Sequence, residues 1–148
     1  MSLTRHIRQT RSARGRLLGV DLGTRRIGLA LSDPAGVIAS PLATLPATTE
    51  AALLDDLLGT CGEHEVRLIV IGHPVRTDGT PTPLGVRAER LAEKLTAGGV
   101  PACTWDEQFT SRAAATAIGR RPRQGDRGRI DRMAAALMLQ DYLDHGYA

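Results

Sequence analysis

A chain of 148 residues has the usual size of one domain and can bury roughly 68 to 70% of its unfolded surface, so its stability demands no disulfide or metal staple. Its residues are 42% hydrophobic and 24% charged, with an aromatic share of only 3%, which makes the core aliphatic. The net charge of +3 is carried almost wholly by arginine, Lys94 being the only lysine. Arginine suits bidentate phosphate contacts, but a GC-rich genome would also favour it, so position has to decide.

Cys61 and Cys103 belong to no CxxC or Cys/His spacing and are expected to be reduced, outside any disulfide framework or zinc site. The basic first residues are not followed by an apolar signal region, and no run approaches the ~18 apolar residues of a membrane span. The expectation is a soluble, cytoplasmic protein without membrane contact.

Residues 1–16, with Arg5, Arg8, Arg11, Arg14 and Arg16 and few apolar side chains, read as a flexible basic arm that cannot offset its own ordering entropy. Residues 17–148 form the single domain. Leu17 to Leu22 reads as a buried strand, Gly23-Thr24 as a turn, and Ile27, Leu29 and Leu31 as the core face of a second strand. Asp33-Pro34-Ala35-Gly36 is a further turn, and Val37 to Thr44 a third antiparallel strand that Pro41 restricts to an edge or an end.

Thr48 or Thr49 caps a helix over Ala51 to His64, with Leu53, Leu54, Leu57, Leu58 and Cys61 on one face. Val66 to Ile71 is a short apolar strand suited to a sheet centre. The turn-rich segment His73 to Pro83 leads to a helix over Leu84 to Thr96, stopped at Gly98-Gly99, and Val100 to Trp105 is the next strand. A short helix is expected over Ser111 to Ile118, then an arginine-rich and glycine-rich loop over Gly119 to Gly128. A final helix over Ile130 to Leu143 has Met133, Ala134, Leu137, Met138 and Tyr142 as its apolar stripe. The order βββαβαβα predicts an α/β fold with a mixed five-stranded sheet, an antiparallel hairpin meander joined to parallel strands and flanked by helices.

Three carboxylates stand at unusual places. Asp21 lies within an apolar strand, where an uncompensated charge costs several kcal/mol; alternation puts it on one face with Leu17 and Gly19, and the glycine leaves space beside it. Asp106 and Glu107 follow the predicted end of the strand at Trp105, beyond which α/β sheets place their sites. Asp131 falls in the predicted first turn of an apolar helix. Ordinary roles compete: an Asx turn for Asp21, a helix cap for Asp106, and a macrodipole partner for Asp131. Three elements delivering an acid to one sheet edge, however, match what Mg²⁺ or Mn²⁺ requires, and two such ions support phosphodiester hydrolysis. His6, His64, His73 and His145 share no metal-binding spacing.

Gly19-Val20-Asp21-Leu22-Gly23-Thr24 with Ile27-Gly28, Val70-Ile71-Gly72-His73-Pro74, Thr77-Asp78-Gly79-Thr80, Asp106-Glu107-Gln108-Phe109-Thr110-Ser111 and Ile130-Asp131-Arg132-Met133-Ala134-Ala135 together resemble the motifs of the YqgF family, also called RuvX or Holliday junction resolvase-like proteins. The similarity runs from Leu17 to Tyr142. It implies an RNase H-like fold, catalytic and metal-ligating roles for Asp21, Glu107 and Asp131, with Asp106 as a substitute for Glu107, and Mg²⁺ or Mn²⁺ as cofactor. It also implies a bacterial nuclease that matures the 5′ end of pre-16S rRNA, on RNA or in a pre-ribosomal particle, with branched-DNA resolution as the older proposal. Symmetric junction cutting would need a homodimer.

This chain departs from the pattern at His73, where an apolar residue is usual, at Arg76 in place of asparagine, and at Gln108 in place of arginine. The lost guanidinium shifts its role to Arg76 or Arg112. The candidate nucleic-acid contacts are Thr24 and Arg25 in the first turn, Arg76, Asp78 and Gly79 in the second, Arg112, and Arg120, Arg121, Arg123, Arg127 and Arg129 in the loop before Asp131. Two other classes compete. An ATP-using phosphotransferase shares the Asp-Leu-Gly-Thr signature but needs two such domains; a non-catalytic module would bind nucleic acid through its arginines alone.

Overall fold

Near-continuous burial along the first two strands, with apolar residues on both of their faces, sets a layered arrangement with helices on each side of the sheet. The computed structural model describes residues 15–74, 78–107 and 126–145, the side chains of Pro74 and Glu107 excepted. Strands β1 (Arg16–Leu22), β2 (Arg26–Ser32) and β3 (Ala39–Pro46) precede α1 (Glu50–His64), β4 (Val66–Pro74), α2 (Pro83–Ala97), β5 (Ala102–Glu107) and α3 (Arg127–His145). The described strands make one sheet in the order β3-β2-β1-β4-β5, antiparallel through the hairpin strands and parallel from β1 to β4 to β5. The expected α/β class, five strands and mixed pairing are all present. The helix over 111–118 and most of the loop after it lie outside the described residues, as do residues 1–14 of the basic arm.

Each sheet face has its own core. Leu18, Val20, Ile27, Leu29, Ile69 and Ile71 bury against α1 and α2, whereas Leu17, Ala30, Leu68, Val70 and Cys103 bury against α3. On α3 the sheet-facing set is Ala135, Met138, Leu139, Tyr142 and Leu143; Met133 and Leu137 instead flank a small separate cluster with Ile130 and Ala134. Of the stripe predicted for that helix, Ala134, Met138 and Tyr142 are buried as expected, while Met133 and Leu137 are only partly so, and Ala135, Leu139 and Leu143 complete the buried face. Both cysteines are free and buried, and burial pushes the thiols up to about 11 for Cys61 and about 12 for Cys103. Neither should react with a thiol reagent at pH 8 until the protein is unfolded in denaturant.

Several boundaries move for identifiable reasons. Strand β3 starts at Ala39, not Val37, because the Asp33 carboxylate accepts the amides of Val37 and Ile38 at 2.8 and 2.9 Å and ties them into the turn. Pro41 sits on this edge strand at a register shift, opposite Ala30, where a missing donor is tolerated. Strand β4 continues through His73 and Pro74, and β5 continues through Asp106 and Glu107, because the two pair to their ends. Thr49 caps α1 by accepting from Ala52 N, and Thr82 caps α2 by accepting from Gly85 N. Helix α3 begins at Arg127, three residues earlier than Ile130. Among the described residues no helix is long and apolar enough to cross a membrane.

One buried hydroxyl holds the start of β1. Ser32 is 2% exposed; its Oγ accepts from Leu17 N at 2.8 Å and donates to the Asp33 carbonyl. Ser32→Ala leaves a buried amide unsatisfied and should cost about 1 to 3 kcal/mol in a denaturant melt. A loss within error of zero would show that water replaces the hydroxyl.

A candidate active site at the ends of the parallel strands

The register places one residue from each strand in a single row across the sheet: Thr44 opposite Gly28, Gly28 opposite Asp21, Asp21 opposite Gly72, and Gly72 opposite Trp105. Paired residues share a face, and this is the face that α3 covers. Asp21 thus has a glycine on each neighbouring strand. A Cβ on Gly28 would lie 2.0 Å from the backbone oxygen of Asp131, and one on Gly72 would lie 2.5 Å from Met138 Cγ. The helix backbone is therefore seated directly on β2, beside Asp21. Gly19, expected to leave space beside the aspartate, does not do so, because Leu139 Cβ already stands 2.9 Å from where its Cβ would be. The glycines on the neighbouring strands likewise leave no open space; they admit the backbone of Asp131 and the side chain of Met138.

The same row pins both ends of α3. Thr44 Oγ1 donates to the Gly128 carbonyl and accepts from Arg132 Nη1 at 3.2 Å, which fixes the helix start. Trp105 Nε1 donates to Asp141 Oδ2 at 2.8 Å, and its ring meets Tyr142 edge-on with centroids 5.4 Å apart, which fixes the other end. Between these anchors Asp131 is held over Gly28 on β2, beside the carboxyl end of β1. With α3 starting at Arg127, Asp131 is in the second turn, beyond the reach of a macrodipole effect that fades within the first. Its carboxylate is engaged from the side instead: Arg26 Nε contacts Asp131 Oδ2 at 2.5 Å.

The structure separates the remaining acids. Glu107 closes β5 opposite Pro74 in the register, two positions beyond Trp105, and its side chain lies outside the described residues. Asp106 shares a row with His73, on the opposite face from Asp21, and its Oδ1 is 3.5 Å from His73 Nε2. In this arrangement Asp106 does not take Glu107's place. Among the described residues no group of three acids, histidines or cysteines is arranged to hold a metal. Asp131 is nevertheless seated on Gly28, the register partner of Asp21, so two residues with hard oxygen donors come from separate elements at this end of the sheet, and a guanidinium already contacts one of them. That chemistry fits Mg²⁺ or Mn²⁺.

Thr24 and Arg25 are exposed in the turn between β1 and β2, at the sheet end that carries Asp21. Gly23 is closed in: a Cβ there would lie 2.4 Å from the Arg26 carbonyl. Asp78 accepts from Thr80 N and Oγ1 at 3.0 and 2.7 Å, which holds its carboxyl below the usual range, and Gly79 has φ +79°. This is a self-contained turn. Arg127 and Arg129 are exposed on the first turn of α3, not in a mobile loop, because the helix takes them up. Arg76, Arg112, Arg120, Arg121 and Arg123 lie outside the described residues.

Arg26 and Thr44 were missed from the sequence. The signal for Arg26 was present, since alternation from Gly28 puts it on the same face; Thr44 needed the register of an edge strand. A cleft of about 600 Å³ between α2 and β5, lined by Glu89, Glu93, Thr96 and Cys103 among others, contains neither aspartate. It lies along the edge strand β5 of the described sheet.

The sequence pattern of the family described as "RuvX: Holliday junction resolvase" matches residues 15–145. A relative from Opitutus terrae, named "Putative pre-16S rRNA nuclease", is 41% identical over 136 residues, covering 89% of this chain and 93% of the relative. One of the same name from Syntrophus aciditrophicus is 38% identical, covering 87% and 88%. Among solved structures, the Thermus thermophilus RuvC structure superposes with a TM-score of 0.54 at 13% identity, covering 90% of this chain and 98% of that one. The fowlpox virus resolvase, solved with Holliday junction DNA, gives 0.58 at 8% identity, covering 90% and 99%. At such identities these two likenesses speak for the RNase H-like fold alone.

Proposed function

This chain belongs to the RuvX family, and on that premise we propose that it is a divalent-metal-dependent nuclease that hydrolyses phosphodiester bonds in RNA, acting on the 5′ end of pre-16S rRNA. The observation that carries the reading is the seat of Asp131 on Gly28 beside Asp21, two oxygen donors from separate elements at the carboxyl ends of parallel strands. The names of the relatives at 38 to 41% identity supply the substrate.

Asp21 and Asp131 would hold the cation, with Glu107 at the end of β5 as the third ligand. When bound, Mg²⁺ or Mn²⁺ supplies charge stabilisation and a more acidic water. The chain's own residues do the rest. Asp21 and Asp131 fix where positive charge sits relative to the scissile phosphate, and Thr24 and Arg25 meet the neighbouring phosphates from the exposed turn. Arg127 and Arg129 add positive charge next to Asp131 on the helix, and Met138 with the Trp105–Tyr142 pair forms the apolar floor. Arg76, Asp78, Gly79, Arg112, Arg120, Arg121 and Arg123 complete the proposed nucleic-acid contacts. In hydrolysis, water adds across one P–O bond and the leaving oxygen takes a proton.

The second reading, resolution of branched DNA, is favoured by the family's own description. It would require two sites related by symmetry in a homodimer. The test is a digestion panel of precursor rRNA, single-stranded RNA and four-way DNA junctions with Mn²⁺ or Mg²⁺. We expect precursor rRNA to be cut, with the activity lost in chelator and restored by excess cation. Paired, symmetric cuts confined to junctions would establish the second reading. Binding without cutting under every metal condition would leave a non-catalytic nucleic-acid module.

A further inference from the structure

The placement of Arg26 against Asp131 gives this arginine a specific task. We infer that Arg26 is the built-in counter-ion of Asp131, occupying the carboxylate until a divalent cation displaces it, and that it thereby sets the metal affinity of the site. The inference rests on the reading of Asp21 and Asp131 as metal ligands.

The geometry is selective. Arg26 Nε is 2.5 Å from Asp131 Oδ2, while the guanidinium of the next residue along the helix, Arg132, is committed to Thr44. The side chain of Asp131 is 16% exposed and that of Arg26 is 34% exposed. The carboxylate is thus sheltered while the arginine has a path to solvent, so Arg26 can withdraw without any movement of β2. Asp131 is seated on Gly28, the register partner of Asp21, so the two aspartates put like charge at one end of the sheet when no cation is present, and in a partly buried place such repulsion is poorly screened. A guanidinium offsets it. Asp131 keeps lone pairs for a dication while Oδ2 accepts from Arg26, but the two positive groups repel each other at that range. Guanidinium and metal therefore compete for this carboxylate. Arg26 acts through Asp131, as a positioning residue, and trades cation affinity for stability of the metal-free site.

Mn²⁺ binding by titration calorimetry on the full chain tests this, together with thermal melts in EDTA and in Mn²⁺. Arg26→Ala and the more conservative Arg26→Gln should each bind Mn²⁺ roughly fivefold tighter than wild type. Both should melt lower than wild type in EDTA and gain more from Mn²⁺, since the added stability grows with the ratio of ligand to Kd. A residue with only a structural role would lower the EDTA melt without tightening Mn²⁺ binding. Unchanged or weaker Mn²⁺ affinity in a folded Arg26→Gln overturns the inference. Asp131→Asn separates the two layers. If it abolishes Mn²⁺ binding while the Arg26 variants bind as wild type, the counter-ion inference alone fails. If Asp131→Asn binds Mn²⁺ as well as wild type, the ligand role of Asp131 fails and the inference goes with it.

Discussion

Gly28→Ala should destabilise the protein by about 3 kcal/mol or more and abolish cleavage, because this is the closest backbone clash an added methyl group would make at any glycine among the described residues. The added Cβ would lie 2.0 Å from the Asp131 oxygen and 2.4 Å from its carbonyl carbon. Both are backbone atoms of a helix pinned at Thr44 and Trp105, so no side-chain rotation can relieve the contact. Either α3 lifts from the sheet or β2 bends. Either movement separates Asp131 from Asp21. Gly59→Ala is the matched control: Gly59 is an exposed residue inside α1 with nothing within 4 Å of the added carbon, and alanine there should stabilise by about 0.5 to 1 kcal/mol. Urea melts of the two variants with wild type decide the matter. A Gly28→Ala protein as stable as wild type would mean that α3 is not seated on β2 as described.

Asp21→Asn should reduce cleavage by at least about a hundredfold while leaving the melting temperature in EDTA unchanged or raised. The loss follows from removing a ligand charge at constant shape: even partners one step removed from a metal typically contribute 10- to 100-fold, and a direct ligand contributes no less. The stability effect has the opposite sign for the same physical reason. Asp21 stands between Gly28 and Gly72 in the register, and the backbone of Asp131 is seated on Gly28, so neutralising one of the two aspartates relieves like-charge repulsion in the metal-free protein. A structural role for Asp21, as an Asx cap of its own turn, predicts the reverse pattern, with lower stability and retained activity. Measuring both quantities on one preparation distinguishes the two roles. Wild-type cutting by Asp21→Asn would remove Asp21 from the site.

Much of this fold was legible because it is written in short-range pattern. The alternation of Ile27, Leu29 and Leu31 marks a strand, though its other face is buried as well, and the run from Leu68 to Ile71 marks a central one. The spacing of Leu53, Leu57 and Cys61 marks a helix face. Element ends were less legible because they depend on pairing. Nothing local in His73-Pro74 predicts a strand, yet β5 carries it there, and nothing in Arg127-Gly128-Arg129 predicts a helical turn, yet Thr44 holds the Gly128 carbonyl.

By itself the sequence determined the class of the fold and the hairpin, and it singled out Asp21, Glu107 and Asp131 as candidates, since a charge inside an apolar strand is unusual whatever surrounds it. Tertiary structure alone decided that the core divides between the two sheet faces and which of those acids share a face. Face and register follow from strand pairing across more than a hundred residues of chain, and a shift of one position would carry Asp21 to the other side of the sheet. Asp106 shows the consequence: adjacent in sequence to Glu107, it shares its row with His73 on the far face, away from Asp21. Arg26 shows the converse, 105 residues from Asp131 and in contact with it, because a pleat and a missing Cβ bring them together where no local pattern could.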